Sequence, residues 1–283
     1  MSAGKSTLRR MRSFVGRLVK EVAGRTLVAF GAHKRLLKGK AIVVAFHSIT
    51  VEKSSGALRC SVEDFDAYCR FFAKHLKPET LTRTVERLEE RGPLDGEIAI
   101  TFDDGYADNA ELALPVLNRW SLPATFYVTT GFIQTQTQTE WDQQANLRSR
   151  WMTWEQVKEL VSSGHDLGAH TVTHINLAVA SAQEAESELR QSRDDIAGRA
   201  GITPKHFAVP FGRSFASLGQ TVNIARSLGF KSVSLCRGGV VPDGTNAMHI
   251  ERWPIDPRAY LSPYGWLADV LRDSGPADTV TGS

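Results

Sequence analysis

Two adjacent carboxylates, Asp103 and Asp104, close a run of strand-forming residues, Ile98 to Phe102, and Gly105 follows them. Neighbouring acids repel, so a pair held together at a strand end implies a cation that both can face. The glycine lets the backbone turn tightly and lets a ligand come close. Two histidines four residues apart, His170 and His174, follow a second short apolar run. On one helical turn or in a tight loop both imidazoles can reach a single ion. Two histidines and one carboxylate leave a coordination position for water, the mark of a catalytic rather than a structural metal. Each motif alone reads equally well as a turn or as packed residues, since Asp-Gly is a common turn dipeptide. Together they point to a catalytic site built on a divalent metal.

The elements needed to bring these groups together can be read in order. Apolar runs predict strands over 41–46, 98–102, 123–129, 166–170, 206–209, 231–235 and 248–253. Helices are predicted between them. One opens at Ser61 with acids in its first turn, and one opens on the capping box Ser181-Ala-Gln-Glu184. Seven strands alternating with helices indicate an α/β protein with a parallel sheet or barrel, which puts all strand ends on one face. Polar groups recur at those ends: His47, Asp103 with Asp104, His170 with His174, the turn Pro210-Phe211-Gly212, and Arg252. The stretch 133–151 breaks the rhythm. It is polar, carries Trp141, and reads as a lid or binding loop, or else as a disordered segment.

Composition narrows the class. A hydrophobic content of 42% and a charged content of 23% are those of an ordinary globular protein. The net charge of +3 conceals an asymmetry: residues 1–40 hold eleven Lys or Arg and one acid, Glu21, a charge of +10 that leaves −7 on the rest. There is thus no nucleic-acid footprint beyond this arm. Within it, Leu8, Met11, Val15, Leu18, Val19 and Val22 form an apolar helical stripe bordered by basic residues. That is the pattern of a helix lying on an anionic membrane surface, with a basic helix packed on the body or a disordered leader as the alternatives. Neither a transmembrane span nor a clean signal-peptide core is expected, and the charges after Arg9-Arg10 argue against a twin-arginine signal. The three cysteines, Cys60, Cys69 and Cys236, lack metal-type spacing and suit a reducing compartment. The expected location is cytoplasmic, with the inner face of a membrane as the alternative. The expected organisation is a basic arm over 1–40, a catalytic domain over 41–273 and a disordered tail over 274–283.

Thr101-Phe-Asp-Asp-Gly-Tyr106 followed by His170-Thr-Val-Thr-His174 resembles the first two motifs of the polysaccharide deacetylases, the NodB-homology domain. Leu122-Pro-Ala-Thr-Phe-Tyr-Val128, Gly164-His-Asp-Leu-Gly-Ala-His170 and Phe207-Ala-Val-Pro-Phe-Gly212 extend the resemblance, which runs from about Ala41 to about Tyr260. It implies a distorted (β/α) barrel of about seven strands and a divalent metal, usually zinc. It also implies hydrolysis of N-acetyl groups on an amino sugar, in a polysaccharide, an oligosaccharide or a lipid-linked glycan. By the same resemblance Asp104, His170 and His174 hold the metal, Asp103 is the general base, and the oxyanion faces the metal and the backbone N–H of Phe211.

Two departures from the family pattern matter. The third motif commonly has an Arg two residues before its Pro, where this chain has Ala208; Arg252 is the substitute expected to orient Asp103. The late Leu-x-His that supplies the general acid is not evident either. His47 takes that place as first choice and His249 as second. Two other readings keep the fold: hydrolysis of a non-sugar C–N bond, or an inactive carbohydrate-binding protein. Retention of Asp103, which metal binding does not require, argues against the inactive one.

Overall fold

The computed structural model describes residues 2–56, 58–144, 148–212 and 218–273, with side chains from Ser13 onward. A long helix, α1 (Ser2–Ala29), and a short one, α2 (Ala32–Leu36), lead into β1 (Lys40–Phe46). A two-stranded parallel pair, β2 (Ser48–Thr50) and β3 (Arg59–Ser61), precedes α3 (Val62–His75). Then come β4 (Lys77–Pro78), α4 (Leu81–Glu89) and β5 (Glu97–Phe102). A π-helical turn (Asn109–Ala113) runs into α5 (Leu114–Trp120), followed by β6 (Ala124–Val128), α6 (Glu140–Gln144), α7 (Trp154–Ser162) and β7 (Asp166–Ala169). The remainder is α8 (Ala182–Ala200), β8 (His206–Ala208), α9 (Gly219–Ser227), β9 (Ser232–Leu235), β10 (Val241–Pro242), β11 (Ile250–Glu251), β12 (Trp253–Pro254) and α10 (Pro263–Asp273).

Strands β1, β5, β6, β7, β8 and β9 lie side by side, each parallel to the next. The segment 250–254 closes them into a ring. Its first half, β11, pairs in parallel with β9, and its second half, β12, pairs in parallel with β1. This is the nearly closed parallel barrel of about seven strands that the motif pattern predicts, with helices packed outside. The expected last strand over 248–253 is split in two with Arg252 between the halves, because it must serve two neighbours. Met248 and His249 before it belong to a 3-10 turn.

Residue size sorts the two faces of the sheet. Ile42, Val44 and Phe46 of β1, Ile98, Ile100 and Phe102 of β5, and Phe126 and Val128 of β6 point outward, into the main core beneath α3, α5, α7, α8, α9 and α10. The alternate residues, among them Ala41, Val43, Ala99, Tyr127, Ala208 and Ile250, form a separate smaller cluster inside the ring. Small and hydroxylated side chains dominate there because a narrow barrel has little room. Gly168 belongs to this constraint: a Cβ on it would overlap the Tyr127 ring.

The helix starts behave as their sequences require. Ser61 Oγ accepts from Asp64 N–H, and the capping boxes of Thr153 with Gln156 and Ser181 with Glu184 are both complete. The long stretch after β6 is more ordered than a loop reading implies, since α6 lies within it. All three cysteines are free; Cys60 and Cys69 are buried in the core. The expected disordered tail, 274–283, lies outside the described residues.

Candidate active site

Inward-facing positions at the carboxyl ends of the strands converge. His47 follows β1, Asp103 and Asp104 follow β5, and His170 follows β7. Together with Phe211, Cys236 and Pro254 they line one cavity of about 550 Å³. Parity explains the convergence: Asp103 continues the inward series Ala99, Thr101, and Arg252 continues the one begun by Ile250.

Asp103 and Asp104, adjacent in sequence, are given different partners. Arg252 reaches up the barrel and donates two hydrogen bonds to Asp103, Nη1 to Oδ1 at 2.6 Å and Nη2 to Oδ2 at 2.8 Å. The guanidinium is fully buried and held from other sides too. Its Nη1 also donates to Thr101 Oγ1 at 3.0 Å, its Nε donates to the Leu235 carbonyl at 3.2 Å, and the Tyr127 ring lies 5.0 Å below it. Burial pushes the Asp103 pKa up, but the charge and hydrogen bonds of Arg252, together with the His170 and His47 imidazoles, more than offset it and hold the carboxyl below its ordinary range. His47 Nε2 stands 3.9 Å from Asp103 Oδ2.

Asp104 turns the other way. Its backbone is left-handed, with φ of 75°, and Gly105 continues at 93°. That reversal aims its Oδ1 at His170 Nε2, 3.4 Å away, and His174 Nε2, 3.2 Å away. The three donor atoms all lie within 4.8 Å of one another. His170 Nδ1–H donates to the Ala208 carbonyl at 2.9 Å, which fixes the tautomer and frees Nε2. Asp104 Oδ1, although buried, has no hydrogen-bond partner among the described residues, because the neighbouring imidazoles do not meet bonding geometry. Burial pushes Asp104 up, yet the two imidazoles more than offset this and hold it well below the carboxylate range. An orphaned buried carboxylate oxygen beside two fixed imidazoles fits a divalent cation such as zinc.

The loop carrying His174 is strained and tied down. Thr171 and His174 have φ of 65° and 59°, and Phe211 across the cavity has 55°. With Asp104 they are half of the eight described non-glycine residues in that region of backbone space, where each costs about 1–3 kcal/mol. Glu188 of α8 offsets this by accepting from the backbone N–H groups of Val172 and Thr173 and from Thr173 Oγ1. Aromatic rings wall the mouth: Phe211 packs 4.6 Å and Trp141 4.7 Å from the His174 ring.

Some of these residues escape sequence reasoning. Glu188 lies mid-helix and gives no signal. Asp108 and Asn109 do more than start a helix. Asp108 accepts from Ser48 Oγ and from Ile49 N–H, and Asn109 Nδ2 donates to the His47 carbonyl, so the two clamp the segment that carries His47. Burial lifts the Asp108 pKa to about 6 despite those donors. Thr101, a lone hydroxyl in an apolar run, was the visible hint that something polar sits inside the barrel. His249 lies elsewhere: it is exposed on the opposite parity to Arg252, in the turn at the amino end of β11, and does not line the cavity. A second cavity, of about 570 Å³, shares Leu58 and Trp141 with the first and is lined also by Tyr106, Asp108 and Arg150.

Comparison with known proteins agrees with this picture. The chain is 28% identical over 154 residues to the Bacillus subtilis protein YxkH, itself named for the polysaccharide deacetylases, covering 53% of this chain and 49% of that one. The chain spans about half the length of the curated relatives it matches. Its fold is similar to that of the Streptococcus pyogenes deacetylase PplD, solved in complex with acetate. The TM-score is 0.69 at 22% identity, over 84% of this chain and 99% of that one. The same holds for IcaB from Ammonifex degensii, with a TM-score of 0.64 at 22% identity over 81% and 99%. Residues 90–233, which carry the Asp-Asp and His-x-x-x-His motifs and strands β5 to β8, match the polysaccharide deacetylase family, and the chain belongs to that family.

Proposed function

We propose that this protein is a metal-dependent hydrolase that removes N-acetyl groups from an amino sugar in a polysaccharide, an oligosaccharide or a lipid-linked glycan. The observation that carries the reading is the division of labour between Asp103 and Asp104. One carboxylate is gripped by a buried guanidinium, and the other faces two imidazoles in the same cavity. A structural metal site would have no use for the first.

Asp104, His170 and His174 are the residues that would hold the ion, zinc by the chemistry of this donor set. When bound, such an ion polarises an acyl oxygen and brings water toward ionisation near neutral pH. Asp103, kept ionised and aimed by Arg252, takes the proton from the attacking water as its oxygen bonds to the acetyl carbon. The Phe211 backbone N–H, in the left-handed turn at the cavity edge, is suited to receive the developing oxyanion. His47 lines the cavity on the Asp103 side and is assigned to protonate the amine as the C–N bond breaks, leaving acetate and a free amino sugar. The adjoining cavity and the Trp141 ring between the two supply a surface for further sugar units.

The test is acetate release from a panel of N-acetylated saccharides and lipid-linked sugars, before and after chelation and with zinc restored. Release that disappears with the chelator and returns with the ion is the expected result. Metal-replete protein that releases acetate from none of the panel would favour the non-sugar or inactive reading.

A further inference from the structure

One side of helix α1 meets the protein, and its apolar stripe is on another side. Glu21, Gly24, Leu27 and Val28 are buried or half-buried toward α10 and the barrel wall. Phe14, Val15, Leu18, Val19 and Val22 lie on the opposite side of the same helix, each between 45% and 62% exposed. The apolar stripe of the helix is therefore turned outward, and a contiguous exposed stripe of this kind marks an interaction surface.

Charge identifies its occupant. The first 40 residues carry +10, while the rest of the chain carries −7. Lys5, Arg9, Arg10 and Arg12 lie in the turns before the stripe. Two copies meeting through this face would bring like charges together, whereas an anionic surface complements it. The direction of the helix adds a geometric point. Near its carboxyl end α1 adjoins His33, whose Nε2 lies 3.1 Å from the His75 carbonyl, at the amino ends of the strands. Farther back, Arg17 Nη1 donates to the Arg258 carbonyl, and the Arg258 guanidinium lies against Gly56, which lines the cavity beside the active site. Residues 2–16 continue the helix from there for about 22 Å, so α1 projects at the catalytic end of the barrel. No helix among the described residues is long and apolar enough to cross a bilayer.

We propose that α1 docks the protein onto an anionic lipid bilayer. The stripe from Phe14 to Val22 sinks into the headgroup boundary, the positive charge of the first 40 residues draws it to anionic headgroups, and the mouth of the cavity sits at the same end. The test is co-sedimentation of the full chain with vesicles of phosphatidylcholine alone or with added phosphatidylglycerol. Binding should be at least ~10-fold tighter to the anionic vesicles, since each basic residue near such a surface contributes about 1 kcal/mol, and should weaken as salt is raised. Val15→Ser/Val19→Ser removes apolar surface without changing charge and should lose at least ~10-fold in vesicle affinity at an unchanged melting temperature. Indifference to lipid charge, or wild-type binding by this variant, would overturn the proposal. So would a wild-type dimer that the same substitutions dissociate, because the stripe would then be an interface between copies. The readout is vesicle binding, so it stands apart from whether the chain is a deacetylase.

Discussion

Asp103 and Asp104 show how one backbone dihedral can separate two chemically identical side chains. The left-handed Asp104 turns its carboxylate toward His170 and His174, while Asp103 stays in strand parity and meets Arg252. Different losses follow for each. His170→Ala should empty the ion from purified protein by metal analysis, whereas Asp103→Asn should keep it and lose ~10² to 10⁴ in rate. Loss of metal from Asp103→Asn would mean that the two carboxylates had been assigned the wrong way round. Arg252 is a positioning residue and its signature is a pH profile. Because its charge lowers the Asp103 pKa, removing it raises that pKa, and the acidic limb of the rate profile should move to higher pH. Breaking a buried pair also costs about 3–5 kcal/mol, so Arg252→Met needs a melting curve beside the kinetics. Arg252→Lys, which keeps a charge but not the two-pronged grip, should shift the limb less. An unshifted limb in both folded variants would leave Arg252 with a purely structural role.

At the scale of elements, the barrel interior was more legible than its closure. The alternation of large and small residues, Ile98, Ile100 and Phe102 against Ala99 and Thr101, already states which face is crowded, and it carries Asp103 inward by parity. The last strand could not be read the same way. It is split to serve two neighbours, so its facing is fixed by the barrel's circumference and not by local pattern, which is why the facing of His249 could not be read from the sequence. The polar interior has a thermodynamic signature of its own. Thr82 Oγ1 donates to Asp166 Oδ2, so it must accept from His206 Nε2–H, and His206 Nδ1 then accepts from Ser232 Oγ. That network requires a neutral ring, and burial lowers the His206 pKa from 6.5 to about 4. The unfolded chain therefore binds the proton first as pH falls. The stability linked to His206 is fully present above pH 6.5 and is lost progressively down to about pH 4, by at most about 3 kcal/mol. His206→Gln should flatten the dependence of melting temperature on pH across that window. A slope identical to wild type would show that His206 does not titrate with folding.

The whole molecule joins a closed barrel to an arm of opposite charge, and the joint depends on one residue with no side chain. Gly24 lies where α1 crosses α10, and a Cβ there would overlap the Tyr264 carbonyl. Around it the contact is largely polar. Glu21 accepts from Ser262 Oγ and from Arg25 Nε, Lys20 pairs with Asp269, and the Arg25 guanidinium lies over the Tyr264 ring at 4.6 Å. Behind Tyr264, by contrast, Trp266 is wholly buried among Tyr68, Phe71 and Phe72, so α10 is anchored in the core and cannot yield. A side chain at position 24 must therefore push α1 away from the barrel. Overpacking of this kind costs about 1–3 kcal/mol, comparable to what a few partly exposed polar contacts supply. Gly24→Val should accordingly release the arm and leave the barrel folded. Trypsin should then cut within residues 1–40 far faster than in wild type, while acetate release from a soluble substrate is unchanged, because the catalytic cavity shares no residue with this crossing. Protection equal to wild type would mean that the crossing can widen without losing its contacts, and that the glycine is not what sets the docking of α1.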